Sequence, residues 1–310
     1  MAKLASRIRE TGFGSKGFEN SDRLINKDGR FNVIRSGGGI ATFSLYHWLI
    51  NISWTGFFVF VISSYAFVNF VFASIYFMIG SDQLSDTSAS NAFWECFFFS
   101  TQTLTTVGYG RISPIGNTAG LVASFEAMIG LLGFAFATGL MYGRFSKARS
   151  KIFFSRCALV SPYENINGLM VRAANSRKNQ LIEMSAKMLY SRLDFSGPEP
   201  KRKYQQLNLE IDFITMFPMP WTIVHPINEE SPLFNKSPRD LANEKAEFIL
   251  ILKGLDDTFN QFVNQITSYK YDEVAFGRKF LPMYDPAYEK SPMVYLDKID
   301  RCEQAELNLG

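Results

Sequence analysis

The sequence predicts a two-span α-helical membrane module, with a half-span between the spans, joined to an all-β, immunoglobulin-like sandwich. Three observations carry this. Ser36 to Ser81 holds no Asp, Glu, Lys or Arg, and Ile112 to Gly143 holds only Glu126. Between those stretches lies another apolar run, too short to cross a bilayer. Beyond Ile152 the apolar residues alternate with polar ones, the period of half-buried strands. The average hides this division: 310 residues, 47% of them apolar, with a net charge of +3 would suit a soluble protein. Residues 1–151 carry 13 basic and 8 acidic groups, and residues 152–310 carry 19 and 21. A simple soluble enzyme is excluded, as is a nucleic-acid partner bound through overall charge. Cys96, Cys157 and Cys302 are too widely spaced for a zinc knuckle or a disulfide framework.

In chain order, residues 1–41 read as an N-terminal segment with eight Lys and Arg before Ser36. Residues 42–53 mix aromatic and polar side chains, among them Tyr46, His47 and Trp48, as a short helix lying in the headgroup layer does. The alternative is that they form the first turns of the span that follows. That span, Trp54–Ile79, is 26 uncharged residues, against the roughly 20 a bilayer core needs. The half-span, with its filter loop at 91–110, contains Phe93-Trp94-Glu95-Cys96-Phe97-Phe98-Phe99. A half-span ending in irregular backbone survives at membrane depth only inside protein or beside a water-filled cavity. The second span, 117–145, carries Gly130, Gly133, Ala135, Ala137 and Gly139, small residues that let helices pack closely. These elements make a membrane module over 54–150. Arg144, Lys147, Arg149, Lys151 and Arg156 follow it, whereas the connection between spans offers Asp82, Asp86, Glu95 and only Arg111. The positive-inside bias puts both termini in the cytoplasm of a multi-pass protein of the cell membrane.

Residues 151–310 form the sandwich. Ile182, Met184, Ala186 and Met188 alternate with polar neighbours, as do Leu207, Leu209, Ile211 and Phe213; Phe248–Leu252 reads as a fully buried strand. Ser237 before Pro238 starts a short helix over 239–243. Phe259, Phe262, Val263 and Ile266 fit a helix as well as a strand.

The chemistry is concentrated at Thr106-Val107-Gly108-Tyr109-Gly110, directly after the half-span. This pentapeptide is the signature of a potassium filter, whose carbonyl oxygens replace the ion's water. Glycines at alternate positions allow carbonyls to turn inward where a side chain would clash. K⁺ is expected at the carbonyls of Thr106, Val107, Gly108 and Tyr109, as the transported ion; no cofactor is expected. One such loop cannot encircle an ion, so closed symmetry demands several copies, and the filter chemistry calls for four, a homotetramer.

Two spans, this filter and a β-rich domain resemble the inward-rectifier potassium channels, specifically their bacterial branch. Further markers are Asn26–Val33, Leu169–Arg177, Trp221–Leu233 and Gly277–Phe280, so the likeness extends from Asn26 to about Tyr284. It implies a channel and not an enzyme, a strand at Phe259–Ile266, and modulation by anionic lipids such as phosphoinositides. Departures exist: many relatives carry Glu where this chain has Gln102, and Arg111 puts positive charge at the outer mouth, where Glu95 or Glu126 could pair with it.

The remaining candidates have competing readings. Phe134, Thr138 and Tyr142 lie four apart on one helix face; facing the pore they make rings that gate by dewetting, and facing neighbours they are packing. Trp48, Arg144, Lys147 and Arg149 are lipid-binding candidates. Gln102 and Glu126 are expected to brace the filter, because an ionisable group inside a span has a function by default. Asp256 and Asp257 form either a solvated turn or part of a cation-attracting ring in a cytoplasmic vestibule; His225 is expected to be a satisfied core residue. The rival functions are a two-span potassium channel gated by a soluble ligand and a membrane-anchored adhesion or sensor domain. The first lacks a Gly-rich nucleotide fingerprint, and the second leaves the pentapeptide without purpose.

Overall fold

A computed structural model describes residues 23–33, 44–87, 89–146, 151–196, 199–285 and 292–308. The chain forms two compact units: Ser36–Lys147, and Met1–Arg35 together with Ala148–Gly310.

In the first unit, α1 (Leu45–Asn51) starts at Ser44, whose hydroxyl accepts from the His47 amide. The first two residues of the expected 42–53 segment lie outside the described residues. Ser53 then caps a new helix, α2 (Trp54–Ile79), by accepting from Gly56 N at 3.1 Å. α1 is therefore a separate helix rather than the start of the span. Two further helices follow, α3 (Ala92–Leu104) and α4 (Asn117–Phe145). Both spans keep their expected limits because Ser53, Gly80 and Gly116 stand at the ends of the apolar runs. Lone polar groups in the spans bond to their own helix. Asn69 and Ser74 reach Tyr65 O and Phe70 O at 2.8 Å, and Ser124 and Thr138 reach Gly120 O and Phe134 O at 2.9 Å. Only 17% of either span's most apolar stretch is buried within this chain. Apolar helices so bare require lipid or further copies around them.

The second unit runs through β1 (Ile152–Phe154), β2 (Ala158–Tyr163), β3 (Ile166–Asn175), β4 (Leu181–Asp194), β5 (Lys201–Leu207), β6 (Phe213–Met216) and β7 (Trp221–Ile227). It continues with α5 (Pro238–Asn243), β8 (Glu247–Asp256), β9 (Gln261–Lys270), β10 (Val274–Phe276), β11 (Arg278–Phe280), β12 (Tyr284–Asp285), β13 (Met293–Val294) and β14 (Cys302–Gln304). One five-stranded sheet is ordered β1-β3-β2-β10 with β7 on β3; the other is β5-β4-β8-β9 with β6 on β4. Their facing sides share a core that includes Val171, Ile223, Met184, Met188, Phe248 and Leu250. Tyr190 and Phe248 stack across paired strands at 5.2 Å. Phe262, Val263 and Ile266 lie in β9, a strand as the family likeness implies, whereas Phe259, expected in the same strand, falls in the turn before it.

Two sequence expectations fail in instructive ways. The Leu207–Phe213 alternation is two strands, β5 and β6, which lie one after the other on the same edge of β4. Between them residues 208–212 leave the edge: Asn208 O accepts from the His225 ring and Glu210 N donates to Val224 O of β7. Asp212 O then returns to accept from Ala186 N at 2.7 Å. Alternation persists in sequence while the ladder is broken to tie the two sheets together. In β4 the register slips between Ile182 and Ser185, with Glu183 at φ +51°. This bulge puts Leu181 in the core and leaves Ile182 half-buried.

The N-terminal segment docks on this unit. Leu24 and Ile25 are buried against Tyr204 and Ile249, and their amides donate to the buried Glu247 carboxylate at 2.8 and 3.3 Å. Gly29, at φ +83°, passes so close to β9 that a Cβ would lie 2.5 Å from Ile266 O.

His225 is buried; its Nδ1 donates to Asn208 O at 2.6 Å and its Nε2 accepts from the Ser231 hydroxyl at 2.8 Å. It is the satisfied core residue expected. Burial pushes its pKa down, against the smaller upward pull of the Asn208 carbonyl. Below about 6.5, the unfolded value, the unfolded chain binds the proton that the folded site resists, so stability falls as pH drops through that point. Thermal unfolding of the full-length protein, followed by its β-sheet signal at pH 7.5 and 5.5, should show this loss, and His225→Asn should reduce the difference between the two midpoints.

Candidate functional site

The end of α3 carries the irregular segment. Its last carbonyls do not remain orphaned as helix ends usually leave them. Thr103 O accepts from Thr106 N at 3.0 Å, and Gln102 O accepts from Val107 N at 2.9 Å and Gly108 N at 3.3 Å. Gln102 thus braces the segment through its main chain, a role open to any residue. Beyond that brace the backbone alternates in hand. Thr106, Gly108 and Gly110 have φ of +59°, +52° and +84°, whereas Val107 and Tyr109 do not enter the left-handed region. Such alternation sets successive carbonyls toward one side of the chain, where a strand would send them to opposite sides. A Cβ on Gly108 or Gly110 would meet nothing within 4 Å, so strain rather than space favours glycine there. Thr106 pays for its left-handed conformation, a cost of about 1 kcal/mol or more for a β-branched residue.

The outer limb is tied back to the loop after α2. Ser85 N donates to Ser113 O and Ser113 N to Ser85 Oγ, both at 2.8 Å, and Ile115 N donates to Gln83 O at 2.9 Å. Arg111 sits 3.8 Å from Glu95 and 3.9 Å from Asp86. Of its two expected partners the structure selects Glu95 and adds Asp86.

Glu126 is engaged elsewhere. Fully buried on α4, it accepts from Tyr76 Oη of α2 at 2.7 Å and from Ser100 Oγ of α3 at 2.5 Å. Asn69 Oδ1 lies 3.1 Å from the same Ser100 hydroxyl. One carboxylate therefore joins both spans to the helix that ends in the irregular segment. α4 also comes close to the end of α3 at Gly130, where a Cβ would stand 2.0 Å from Leu104 O.

Lower on α4, Phe134 and Tyr142 are 75% and 74% exposed and Thr138 is exposed, so the described residues leave most of each uncovered. Trp48 on α1 is 43% exposed and meets Phe60 edge-on. Arg144 departs from the lipid-facing expectation. It is 3% exposed, its guanidinium donates to Leu49 O and Ile52 O, and it stacks on the Trp54 and Phe57 rings. Lys147 and Arg149 lie outside the described residues. Asp256 is corrected as well: it is buried, accepting from Asn179 Nδ2 at 2.7 Å and Thr258 N at 3.0 Å, and so closes a turn rather than facing a vestibule. Asp257 is exposed beside it.

Sequence reasoning missed Thr106's backbone and the partners of Glu126. Ser100 inside an aromatic run and Asn69 alone in a span were the available signals.

Two spans, a half-span and an irregular segment held between them define a membrane channel module. Comparison with known proteins agrees. Residues 152–307 match the family model described as the inward rectifier potassium channel C-terminal domain, and residues 39–147 match that described as ion channel. The inward rectifier potassium channel Kirbac3.1 of Paramagnetospirillum magnetotacticum is 32% identical over 276 residues, 87% of this chain and 92% of that protein. The mouse and human G protein-activated inward rectifier potassium channel 3 are 29% identical over 297 residues, 86% of this chain and 75% of each. The chain belongs to the inward-rectifier potassium channel family; it is an ion channel and not an enzyme.

The network predicts a contrast between the two bracing residues. Glu126→Ala leaves the buried Tyr76 hydroxyl without its acceptor, at roughly 1–3 kcal/mol, and leaves the Ser100 hydroxyl only Asn69 Oδ1. It should lower the thermal stability of the assembled protein and its cation selectivity. Gln102→Ala keeps the carbonyl and should change neither by as much. Melting of the purified assembly and liposome flux measure both.

Proposed function

We propose that four copies of this chain conduct K⁺ selectively across the cell membrane through a filter formed by Thr106–Gly110. The observation that carries this is the alternating left-handed backbone at Thr106, Gly108 and Gly110 on a main-chain brace from Gln102. Four such segments facing one axis present rings of carbonyl oxygens at Thr106, Val107, Gly108 and Tyr109, the ligand set for a dehydrated K⁺. The tetramer follows from the family and gives the bare spans neighbours, with lipid taking the remainder. Both termini lie in the cytoplasm, on the side of the basic flanks.

The gate is proposed at Phe134 and Tyr142, which the described residues leave largely exposed and whose rings, fourfold repeated, would make apolar constrictions that dewet. Anionic lipid, phosphoinositides included, acts at the inner leaflet through α1 with Trp48 and through Lys147 and Arg149. Arg144 is left out of that set because its guanidinium is already occupied.

Purified protein in liposomes should take up K⁺ far faster than Na⁺. Gly108→Ala, which forces a side chain onto a left-handed position, should abolish flux or selectivity while the tetramer still elutes intact. Equal Na⁺ and K⁺ flux in the parent protein would sink the filter reading.

The gate is tested separately. Tyr142→Ala should raise basal K⁺ flux severalfold with selectivity unchanged, and parental flux in both Tyr142→Ala and Phe134→Ala would place the gate elsewhere.

A further inference from the structure

We infer that Cys302 is a modification site: peroxide oxidises its thiol to a sulfinate, and the buried Arg172 guanidinium holds the product. Leu169, Val171 and Ala173 of β3 face the core between the sheets, so Met170 and Arg172 face the other side of their sheet. That side is covered by β11 and β14, which pair with each other as a two-stranded ribbon. Arg172 is 5% exposed beneath it, with its guanidinium 4.4 Å from the centre of the Phe280 ring. Phe280 is the direct partner of Cys302 across the ribbon, and both pack into the cluster that contains Met170. Direct cross-strand partners share a face, so the sulfur stands beside the ring that carries the guanidinium. Lys279 and Glu303, the neighbouring pair, are exposed on the ribbon's other face.

A buried arginine is ordinarily paired with an acid. Nη1 of Arg172 has no hydrogen-bond partner, and no carboxylate among the described residues forms an ion pair with it. The face of Phe280 attracts the cation but accepts nothing from N–H groups in the guanidinium plane. Burial holds the Arg172 pKa below the ordinary arginine range, and the charge that works against this is that of the Cys302 thiol. A thiol is a weak acceptor. Oxidation supplies what the guanidinium lacks. The sulfur of Cys302 attacks one oxygen of hydrogen peroxide; an S–O bond forms, the O–O bond breaks, and the other oxygen leaves as water with the thiol's proton. Sulfur loses two electrons and the peroxide gains them. A second peroxide repeats the exchange, and the resulting sulfinic acid loses its proton to solvent. Its two oxygens then offer a guanidinium the same fork that a carboxylate does. Cys302 is half-buried, which admits peroxide and shelters the product, whereas Cys157 is exposed and Cys96 is buried in α3. The inference stands apart from the channel reading, because every residue it uses lies in the second unit.

The test treats the full-length purified assembly with hydrogen peroxide and reads each cysteine by peptide mass spectrometry, with Cys157 as the internal reference. Cys302 should carry two added oxygens at least fivefold more often than Cys157, although Cys157 is the more open. Arg172→Gln should cut the Cys302 yield at least fivefold and leave that of Cys157 unmoved. Equal oxidation of the two cysteines in the parent would overturn the inference, as would a parental Cys302 yield in Arg172→Gln. Should Arg172→Gln not fold, a second comparison decides without it. Cys302→Asp puts a carboxylate where the sulfinate would stand, and Cys302→Asn has the same shape without the charge. The Asp variant should melt several degrees above the Asn variant, and melting at or below it would overturn the pairing with Arg172.

Discussion

The constraint on which the membrane unit depends is the handling of peptide groups in a medium without water. The segment at 106–110 has neither helix nor ladder to satisfy it. The protein resolves this by dividing the labour. Amides of residues 106–108 are tied down on the carbonyls of Thr103 and Gln102, which frees the segment's own oxygens. The loop ladder at Gln83–Ser85 holds the outer limb, and the Glu126 carboxylate holds the helix that carries the inner one. Each support comes from a different stretch of chain, so the segment's shape is imposed by the whole unit rather than by its own sequence.

Buried charge in the membrane unit is used sparingly and always as a junction. Glu126 joins three helices through hydroxyls, and Arg144 joins α4 to α1 and α2 through carbonyls and rings. A charge in hydrocarbon is tolerable only with this degree of satisfaction. The soluble unit follows the same economy: Glu247, buried in β8, holds the amides of Leu24 and Ile25.

How much of this the sequence shows depends on where the information sits. Three of the four ends of the spans were legible because Ser53, Gly80 and Gly116 punctuate the apolar runs. The segment at 106–110 was legible as a pentapeptide, and the strands of the sandwich as alternation. Whatever required a partner from another element was not. The Leu207–Phe213 run alternates as one strand would, but the pull of His225 and Val224 on residues 208–212 splits it. Arg144 reads as one more basic flank until the carbonyls of Leu49 and Ile52 are seen beside it. Asp256 reads as exposed charge until Asn179 and Thr258 close over it.

The placement of the two junctions on α4 has a mechanical result. Glu126 and Arg144 fix the helix 18 residues apart, about 27 Å along its axis. Between them lie Gly130, Gly133 and Gly139, the weakest formers of helix after proline. The hydroxyl of Thr138 in this stretch donates to its own helix and grips no neighbour among the described residues. A rod clamped at both ends and softened in the middle does not swing; it bows. Curvature in α4 is then easiest at the glycines between the two junctions, and the turn beside Glu126 is the part least free to follow it.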